Sequence, residues 1–582
     1  MNRFIALVWS YQSEAASKDA ADVLAAMAAT HSAWVHRVDA PGLLVREAPH
    51  RSNAEEGLHV GAHVSFVGTV FAGRSRAQSE QLRDAEFIES RGAVVFTRVW
   101  GRYVCFIRDV PNACVFIVRD PSGALPCFVA RRGNAFIFLS HSEDIDAIGL
   151  GPTAVDWGYV ALRLANNRHI TAKTGLEGVS ELKPGAVARV GQSRLSIEQV
   201  WRPDALARAP IEQQAAKSAL RGAVETACGA WADCFPRFGL RLSGGLDSSI
   251  VLACVPDPAR VRAINFATSN LEGDERVYAR AAAQFAGAPL SEARRDPCRV
   301  NLQAAVQLKP ALNPPLWLAD GETDEIEAAF AAQHGLTAFF SGRGGDNVFF
   351  RTLRNDVLAD RLIARGPGLG FWRRCWSHAA ETGAPFWESA FGAWRQALSR
   401  DAAAPSTHPT YLTSKALGLL PAAEEAPQGL LPGKRLHLAL IEDRLNYFDW
   451  RSHADYIYPL VAQPVLEACL SLPTFVLSPG GQDRGLVRDA FGGRIAPHVL
   501  QRRSKGQTSA YLAQILLREL RFLRKFLLEG ALAGHGLVSH DVLSAILSEA
   551  SILRASENLP RIVGLLSVEA WLRNLPRGVA LG

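Results

Sequence analysis

A chain of 582 residues is too long for a single hydrophobic core, so two or more domains are expected. Hydrophobic residues make up 48% of it and charged residues 21%, which excludes a disordered protein, and the net charge of +6 is too small to indicate a nucleic-acid-binding protein. The nine cysteines form no CxxC pair, and their odd number does not indicate a disulfide framework. With no signal peptide and no apolar run long enough to cross a bilayer, a cytoplasmic protein without a membrane span is predicted.

The first 205 residues are predicted to form mostly β-structure. Short runs of β-branched and aromatic residues alternate with Gly, Pro and Asn, which is typical of an antiparallel sandwich. A helical stretch is expected near residues 79–90 and a turn at residues 182–185. The predicted strands are residues 64–70, 93–99, 103–107, 115–118, 127–130, 135–139 and 186–190.

Beyond residue 205, short apolar strands alternate with helical patterns, which indicates a parallel α/β sheet. The last 140 residues are predicted to be mainly amphipathic helix. The predicted strands are residues 238–242, 262–266 and 338–340; the predicted helices include residues 211–231, 248–254, 274–285, 511–528 and 540–555. The domains are therefore predicted to cover residues 1–205 and 206–582.

The most informative stretch is a loop, Leu-Ser-Gly-Gly-Leu-Asp-Ser-Ser, between a predicted strand and a predicted helix. Its glycines let backbone N–H groups approach an anion, and the helix N-terminus adds partial positive charge. It lacks the lysine of a Walker A loop, and Asp247 beside phosphates requires a bridging metal, most simply Mg²⁺. The pattern predicts a pyrophosphate-binding loop for ATP, although a helix-capping turn is the alternative. The candidate nucleotide-binding residues here are Leu242, Ser243, Gly244, Gly245, Asp247, Ser248 and Ser249.

A second loop, residues 341–347, reads Ser-Gly-Arg-Gly-Gly-Asp-Asn and also follows an apolar strand. It repeats the first design, with small residues for a tight turn and one carboxylate, Asp346. Ligands in open α/β sheets bind outside the carboxyl ends of strands. Asp247 and Asp346 are therefore predicted to share Mg²⁺, with Gly342 and Gly344 beside the nucleotide. A turn with a helix-capping aspartate is the alternative.

A basic stretch, residues 501–507, reads Gln-Arg-Arg-Ser-Lys-Gly-Gln. A lysine beside an acyl-adenylate, here Lys505, would stabilise negative charge on the carbonyl oxygen and the phosphate. The alternative is a solvated patch of surface charge.

Together these three stretches resemble the asparagine synthetase superfamily, and the resemblance covers nearly the whole chain. Residues 243–249 match its pyrophosphate-binding signature, residues 341–346 match its second nucleotide loop, and Lys505 falls where the family has a functional lysine. Residues 119–126, Arg-Asp-Pro-Ser-Gly-Ala-Leu-Pro, resemble a turn of class II glutaminase domains. The resemblance implies an N-terminal β-sandwich of the Ntn-hydrolase type and a C-terminal ATP-pyrophosphatase α/β domain with a helical end.

One feature departs from the glutaminase pattern. Such glutaminases use a cysteine exposed as the mature N-terminus, whose α-amino group serves as base. This chain begins Met1-Asn2-Arg3, and its first cysteine is Cys105, inside a predicted strand. We therefore expect the glutaminase fold to be kept and its activity lost, so that an amine on the substrate replaces ammonia.

Two branches of the family fit such a loss: the β-lactam and carbapenam synthetases, and the lasso-peptide macrolactam synthetases. Asparagine synthetases have Glu at the position of Arg343, and β-lactam synthetases have a catalytic Tyr there. The segment Gly-Gly-Asp-Asn-Val-Phe after Arg343 looks most like the lasso-peptide cyclases. Arg343 and Lys505 are the predicted catalytic residues, with Arg343 meeting a peptide carboxylate or a phosphate; a surface arginine is the alternative.

The resemblance implies an ATP-dependent ligase that adenylates an Asp or Glu side chain of a precursor peptide and joins it to the peptide's N-terminal amine. ATP and Mg²⁺ are the implied cofactors. A precursor peptide, a leader-peptide protease and a leader-binding protein are the implied partners, without nucleic acid. The rival functions are an ammonia-using or β-lactam-synthetase-like ligase of small molecules, and a non-catalytic scaffold that binds a peptide.

Overall fold

A computed structural model describes most of the chain. The described residues are 3–31, 33–48, 57–149, 151, 154–166, 171–208, 215–268, 273–316, 318, 320–352, 354–398, 408–421, 427–446, 453–479, 482–502, 506, 508–576 and 578–581. No helix within these ranges is long and apolar enough to cross a membrane.

The amino-terminal part is a sandwich of two antiparallel sheets. Its strands are β1 (Phe4–Val8), β2 (Val35–Ala40), β3 (Leu43–Glu47), β4 (His59–Val60), β5 (Val64–Ala72), β6 (Ser75–Arg76), β7 (Trp100–Asp109), β8 (Cys114–Arg119), β9 (Phe128–Arg132), β10 (Ala135–Leu139), β11 (Val179–Glu181), β12 (Ala186–Gly191) and β13 (Arg194–Gln199). One sheet has the order β11-β9-β10-β1-β3-β2, and the other has the order β13-β12-β8-β7-β5-β4, with β6 paired to β5.

The alternation of side chains along β1 explains how the sandwich is built. Phe4, Ala6 and Val8 point into the core between the two sheets. Ile5 and Leu7 point to the other face, where helices cover the sheet. Because successive side chains of a strand alternate between faces, an apolar run buried on both sides needs a layer on each side.

Helices in this part are α1 (Glu14–Thr30), α2 (Asp84–Glu89), α3 (Val95–Arg98), α4 (Glu143–Ala147) and α5 (Trp157–Ala165). The predicted strand at residues 93–99 is wrong, because this segment contains α3. Val95 and Val99 lie one helical turn apart and are both buried, so the apolar run buries the same face as a short helix. Periodicity alone does not separate these two structures in so short a run.

The second part is built on a parallel sheet with the order β16-β15-β14-β17-β18. Its strands are β14 (Phe238–Arg241), β15 (Val261–Ala267), β16 (Leu290–Arg294), β17 (Ala338–Ser341) and β18 (Asp455–Ile457). β14 and β17 are neighbours, and Arg241 pairs with Ser341 at their carboxyl ends. The two loops that follow these strands therefore start side by side.

Helices surround this sheet and form the carboxyl-terminal layer. They are α6 (Pro203–Arg208), α7 (Ala216–Asp233), α8 (Leu246–Ala253), α9 (Arg276–Ala286), α10 (Leu302–Ala305), α11 (Gly321–His334), α12 (Gly345–Val348), α13 (Asp356–Arg365), α14 (Leu369–Thr382), α15 (Phe386–Leu398), α16 (Ser414–Gly418), α17 (Pro432–Glu442), α18 (Gln463–Leu470), α19 (Thr474–Leu477), α20 (Gly485–Ala490), α21 (Pro497–Leu500), α22 (Ser509–Arg518), α23 (Leu520–Leu528), α24 (Ala531–Gly534), α25 (His540–Ile546), α26 (Glu549–Arg554) and α27 (Asn558–Arg573). The predicted fold class is confirmed.

Several predicted helices differ in their bounds from the observed ones. The predicted helix at 211–231 is helical as α7, although residues 211–214 lie outside the described part. The predicted helix at 540–555 divides into α25 and α26, because the Ser548 side chain accepts a hydrogen bond from Ser551 N and starts a new helix. The prediction at 511–528 likewise divides into α22 and α23, with Glu519 between them.

Buried polar contacts join the two parts of the chain. The guanidinium of Arg102, in β7, lies 3.2 Å from the Asp455 carboxylate in β18, and both side chains are buried. Gln463 Nε2 donates to Phe96 O (2.6 Å). One hydrophobic core also runs from β5 and β7 into α7 and β14. The sandwich is therefore packed firmly onto the parallel-sheet part.

A buried carboxyl group links three helices of the second part. Asp360, in α13, accepts hydrogen bonds from Gly433 N (2.7 Å) and Thr474 Oγ1 (2.6 Å), at the starts of α17 and α19. Burial raises the pKa of Asp360 to about 7. An aspartate in the unfolded chain has an ordinary pKa of about 3.9. Between this pH and about 7, the folded protein therefore keeps a proton on Asp360 that the unfolded chain has lost.

This difference predicts a pH effect on stability. The contribution of protonated Asp360 is complete below pH of about 4 and is lost as the pH rises through about 7. We expect Asp360→Asn, which cannot ionise, to have a flatter dependence of the unfolding midpoint on pH than the wild type over this window. Asp541→Asn, at a fully exposed site, is the matched control and should run parallel to the wild type. Parallel curves for both variants would contradict the prediction.

Candidate active site

The two predicted nucleotide loops meet at the carboxyl edge of the parallel sheet. Residues 242–245 connect β14 to α8, and residues 342–344 connect β17 to α12. Both loops line one cavity of about 440 Å³. We name it the nucleotide cavity.

Glycine at two positions makes this close packing possible. A side chain at Gly342 would overlap the backbone N of Ser248 and come within 2.5 Å of the Asp247 carbonyl carbon. Gly244 has φ of +76°, in the left-handed region that favours glycine. The first loop therefore turns sharply and the second lies directly against the start of α8, whose N-terminal N–H groups favour an anion.

This packing gives a prediction. Gly342→Ala should force the loops apart and weaken Mg·ATP binding by at least about tenfold, which corresponds to about 1.4 kcal/mol. Gly321→Ala, at the start of α11 with open space around its added methyl group, is the matched control. Calorimetric titration with Mg·ATP checks both variants, and unchanged affinity in Gly342→Ala would show that the contact between the loops is unimportant.

The carboxylates of Asp247 and Asp346 converge on one point. Arg484 Nη1 lies 3.0 Å from both carboxylate oxygens of Asp247 and 2.6 Å from Asp346 Oδ1. Arg484 Nη2 also lies 3.0 Å from the Asp483 carboxylate. Burial alone would lower the pKa of Arg484, but the three carboxylates raise it above its ordinary value.

This arrangement fits a divalent cation. The Asp247 and Asp346 carboxylates both face the Arg484 guanidinium, so their oxygens are close enough to share one cation. Among the described residues there is no cluster of three or more His, Cys, Asp and Glu side chains that could hold a metal alone. Mg²⁺ is commonly bound by one or two carboxylates together with substrate phosphates and water. Asp247 and Asp346 therefore suit Mg²⁺ that arrives with a nucleotide.

Arginines surround these carboxylates. Among the described residues, six arginines line the nucleotide cavity: Arg241, Arg343, Arg444, Arg484, Arg488 and Arg502. Arg502 is held by Glu275, whose Oε1 lies 2.7 Å from Arg502 Nη2, and its guanidinium carbon lies 4.0 Å from the Tyr278 ring centroid. Guanidinium groups suit phosphate geometry, so a lining of this kind is compatible with a polyphosphate.

The predicted site residues fall into three groups. Those that line the nucleotide cavity are Leu242, Ser243, Gly245, Asp247, Ser248, Gly342, Arg343, Gly344 and Asp346. Gly244 and Ser249 lie behind its wall, where the Ser249 hydroxyl donates to Gly245 O (2.9 Å) and stabilises the first turn of α8. Lys505 lies outside the described residues. Its neighbour Gly506 donates its backbone N–H to Glu275 Oε1 (3.0 Å), and Glu275 lines the cavity.

Sequence reasoning missed Arg484, Arg444 and Arg502. Arg484 is 237 residues from Asp247 and 138 residues from Asp346 in the chain, so no local pattern links them. The sequence Asp-Arg-Gly before an amphipathic helix was the available signal, but a charged pair at a helix start is common on surfaces. Arg502 belongs to the basic stretch that was singled out for Lys505.

A larger cavity of about 960 Å³ lies between the two parts of the chain. Residues of the sandwich, the 309–316 segment, the 443–446 segment and α27 line it. We name it the interdomain chamber. Arg343 and Arg444 line both the chamber and the nucleotide cavity, so the two spaces adjoin at these residues.

The sandwich contains no reactive thiol. Its three cysteines, Cys105, Cys114 and Cys127, are all buried. Burial raises the pKa of the Cys105 thiol well above its ordinary value and that of Cys127 to about 12. It also raises the pKa of Cys114. A thiol in these positions is protonated at neutral pH and is a poor nucleophile.

Parts of the chain are similar to solved structures. Among solved structures, the chain is similar to glutamine phosphoribosylpyrophosphate amidotransferase from B. subtilis complexed with ADP and GMP. That likeness has 10% identity, covers 50% of this chain and 65% of that chain, and has a TM-score of 0.21. It is also similar to a structure described as the allosteric regulatory enzyme of purine biosynthesis, with 9% identity, 50% and 74% coverage and a TM-score of 0.20. No protein with a curated description matches the chain significantly.

Two family models match the sequence. A glutamine amidotransferase domain matches residues 71–201. The asparagine synthase model matches residues 215–573, more than half of the chain, and this stretch contains both nucleotide loops. The chain therefore belongs to the asparagine synthase family, whose domain marks an ATP-dependent, AMP-forming carbon–nitrogen ligase.

Proposed function

We propose that this protein is a macrolactam synthetase that closes an isopeptide bond within a precursor peptide. The main support for this proposal is the interdomain chamber of about 960 Å³, which adjoins the nucleotide cavity at Arg343 and Arg444. Pockets for small ligands have volumes of roughly 300–1,000 Å³, so this chamber lies at the upper end of that range. A single amino acid would leave most of it to water, whereas a folded peptide segment would fill it.

The residue at position 343 supports a role in binding the substrate and not in removing a proton. A guanidinium stays protonated at neutral pH, so Arg343 cannot accept a proton as the Glu or Tyr of relatives would. It can bind a carboxylate or a phosphate with two parallel hydrogen bonds. At the junction of the two cavities, Arg343 is suited to hold the substrate carboxylate against the α-phosphate of ATP.

In the proposed reaction, a side-chain carboxylate oxygen of the peptide attacks the α-phosphorus of ATP. The bond from this phosphorus to the bridging oxygen breaks, and pyrophosphate leaves with the electron pair. The peptide's neutral N-terminal amine then attacks the acyl carbon, the bond from this carbon to the phosphate oxygen breaks, and AMP leaves with the electron pair while the amine's proton passes to solvent. Mg²⁺, when bound by Asp247 and Asp346, would neutralise charge on the phosphates. The arginines and Lys505 would stabilise the departing phosphates and the developing oxyanion.

The chamber also supports the coupling step. A well-oriented intramolecular amine can have an effective molarity of about 10⁵ M or more, so holding the peptide folded supplies much of the rate. Enclosing walls would also keep water from an acyl-adenylate, which otherwise hydrolyses. The partners we propose are a precursor peptide, a protease that removes its leader and a protein that binds the leader, in the cytoplasm.

The test combines purified protein, Mg·ATP and a panel of linear peptides with one Asp or Glu at successive positions from a free N-terminus. We expect AMP, pyrophosphate and a product lighter by one water for a subset of the panel. The same peptides with an acetylated N-terminus are the control, because they have no free amine to close a ring. With hydroxylamine added, they should release AMP and form the hydroxamate of the activated side chain, but no cyclic product. AMP formation with aspartate and ammonium alone would favour the small-molecule ligase. No turnover with any acceptor would favour the scaffold.

A further inference from the structure

The sandwich forms one wall of the interdomain chamber. The wall combines apolar, uncharged polar, acidic and basic side chains: Phe128, Ser142, Glu143, Arg163, Lys173 and Glu181. Its three cysteines are absent from the lining. A wall of mixed character suits a polypeptide, which carries apolar side chains, charges and backbone amides together, better than it suits a small anion.

The sandwich also holds part of the opposite wall in place. The fully buried Arg119 guanidinium donates to Gly123 O (2.9 Å), Leu125 O (2.9 Å) and Leu182 O (2.5 Å), and these bonds stay within the sandwich. One further bond leaves it: Arg119 Nη2 donates to Asn446 Oδ1 (2.5 Å).

Asn446 is held a second time, because its backbone N donates to Ser122 O (2.9 Å). The 443–446 segment carries Arg444, which stands where the chamber meets the nucleotide cavity. The Arg-Asp-Pro-Ser-Gly turn of the sandwich therefore holds one end of the segment that carries this arginine, while Arg444 Nε donates to Asn347 Oδ1 (2.9 Å) on the synthetase side.

A second wall segment is clamped in the same way. The backbone N–H of Gly175, in the sandwich, donates to both Leu312 O and Asn313 Oδ1, each at 3.0 Å. Leu312 and Asn313 line the chamber. Both synthetase-side segments are thus hydrogen-bonded to the sandwich, so the chamber has its shape only when the two parts are together.

We infer that the sandwich, which lacks a reactive thiol, is the substrate-binding half of the enzyme: it contacts the peptide directly and holds the wall segments that carry the peptide to Arg343. This inference rests on the proposed function, because it assumes a peptide substrate. It assigns the glutaminase-like part a binding role in place of ammonia production.

A steric block from the sandwich side tests the inference. Ser142→Trp adds a large side chain to the chamber wall, far in sequence from both nucleotide loops. We expect the KM for a cyclisable peptide to rise by at least about tenfold, equivalent to about 1.4 kcal/mol, while the affinity for Mg·ATP stays unchanged. Ala21→Trp, on the exposed side of α1, is the matched control and should leave both values as in the wild type.

A measurement on the wild-type protein covers the case in which Ser142→Trp does not fold. A linear peptide of the panel carrying a benzophenone group is irradiated with the enzyme and Mg·ATP, and the crosslinked residues are mapped by mass spectrometry. Crosslinks to residues 126–181 support the inference. Crosslinks confined to residues 206–582, or a wild-type peptide KM in folded Ser142→Trp, would overturn it. If the wild type cyclises no peptide at all, the proposed function fails instead.

Discussion

Asp247→Asn is expected to reduce peptide-dependent ATP–pyrophosphate exchange by about 10²–10³-fold, the size of effect seen when one charge-stabilising group is lost from an active site. The substitution keeps the shape of the side chain and removes its charge. Asp247 and Asp346 face a shared cation position, and a single remaining carboxylate would hold Mg²⁺ at the phosphates only weakly. Exchange of labelled pyrophosphate into ATP measures the adenylation step without the coupling step.

The matched control for this variant is again Asp541→Asn, whose carboxylate is fully exposed and far in sequence from the site. It should exchange at the wild-type rate. Raising the Mg²⁺ concentration should recover part of the lost exchange in Asp247→Asn, since the defect is one of metal affinity. Wild-type exchange in Asp247→Asn would show that the first loop has been assigned wrongly.

Arg484→Ala is expected to destabilise the metal-free protein by about 3 kcal/mol, in the range found when one partner of a buried ion pair is removed. The Arg484 side chain is 9% exposed, and it faces Asp247 and Asp346, which are 14% and 26% exposed. Without the guanidinium, these carboxylates repel one another. Added Mg²⁺ should restore stability in Arg484→Ala more than in the wild type, because the metal would replace the lost positive charge.

Thermal unfolding with increasing Mg²⁺ checks this expectation. Arg98→Ala is the control, because Arg98 also forms an ion pair, with Glu86, but the two side chains are 54% and 37% exposed. Exposed pairs contribute roughly 0–1 kcal/mol, so this variant should melt near the wild type and respond no more to Mg²⁺. A loss of stability in Arg484→Ala that is the same at every Mg²⁺ concentration would contradict the shared-cation interpretation.

Local patterns were sufficient to predict the two loops and their meeting point. Each loop combines glycines with one aspartate after an apolar strand, and parallel strands present their carboxyl ends at one edge. Asp247 and Asp346 were therefore predicted together, although they are 99 residues apart in the sequence. The sandwich was predictable from short apolar runs bounded by turn residues, such as residues 135–139, which need cover on both faces.

Long-range contacts were beyond the reach of the same reasoning. Arg484 contacts Asp247 and Asp346 because α20, which follows it, packs beside the two loops. The local sequence of residues 483–485 does not predict that packing. The chamber depends on hydrogen bonds between distant segments, such as that from Arg119 to Asn446. The Arg-Asp-Pro-Ser-Gly turn was identified as a glutaminase-like feature, but its contact with the 443–446 segment could not be inferred from spacing.

The central claim is that the chain transfers AMP from ATP to a side-chain carboxylate of a peptide. The most direct measurement uses a cyclisable peptide in which both carboxylate oxygens of the Asp or Glu side chain are ¹⁸O. If the carboxylate attacks the α-phosphorus, the released AMP contains one ¹⁸O atom, and the cyclic product keeps the other. Unlabelled AMP, or ¹⁸O found in inorganic phosphate beside ADP, would contradict the account.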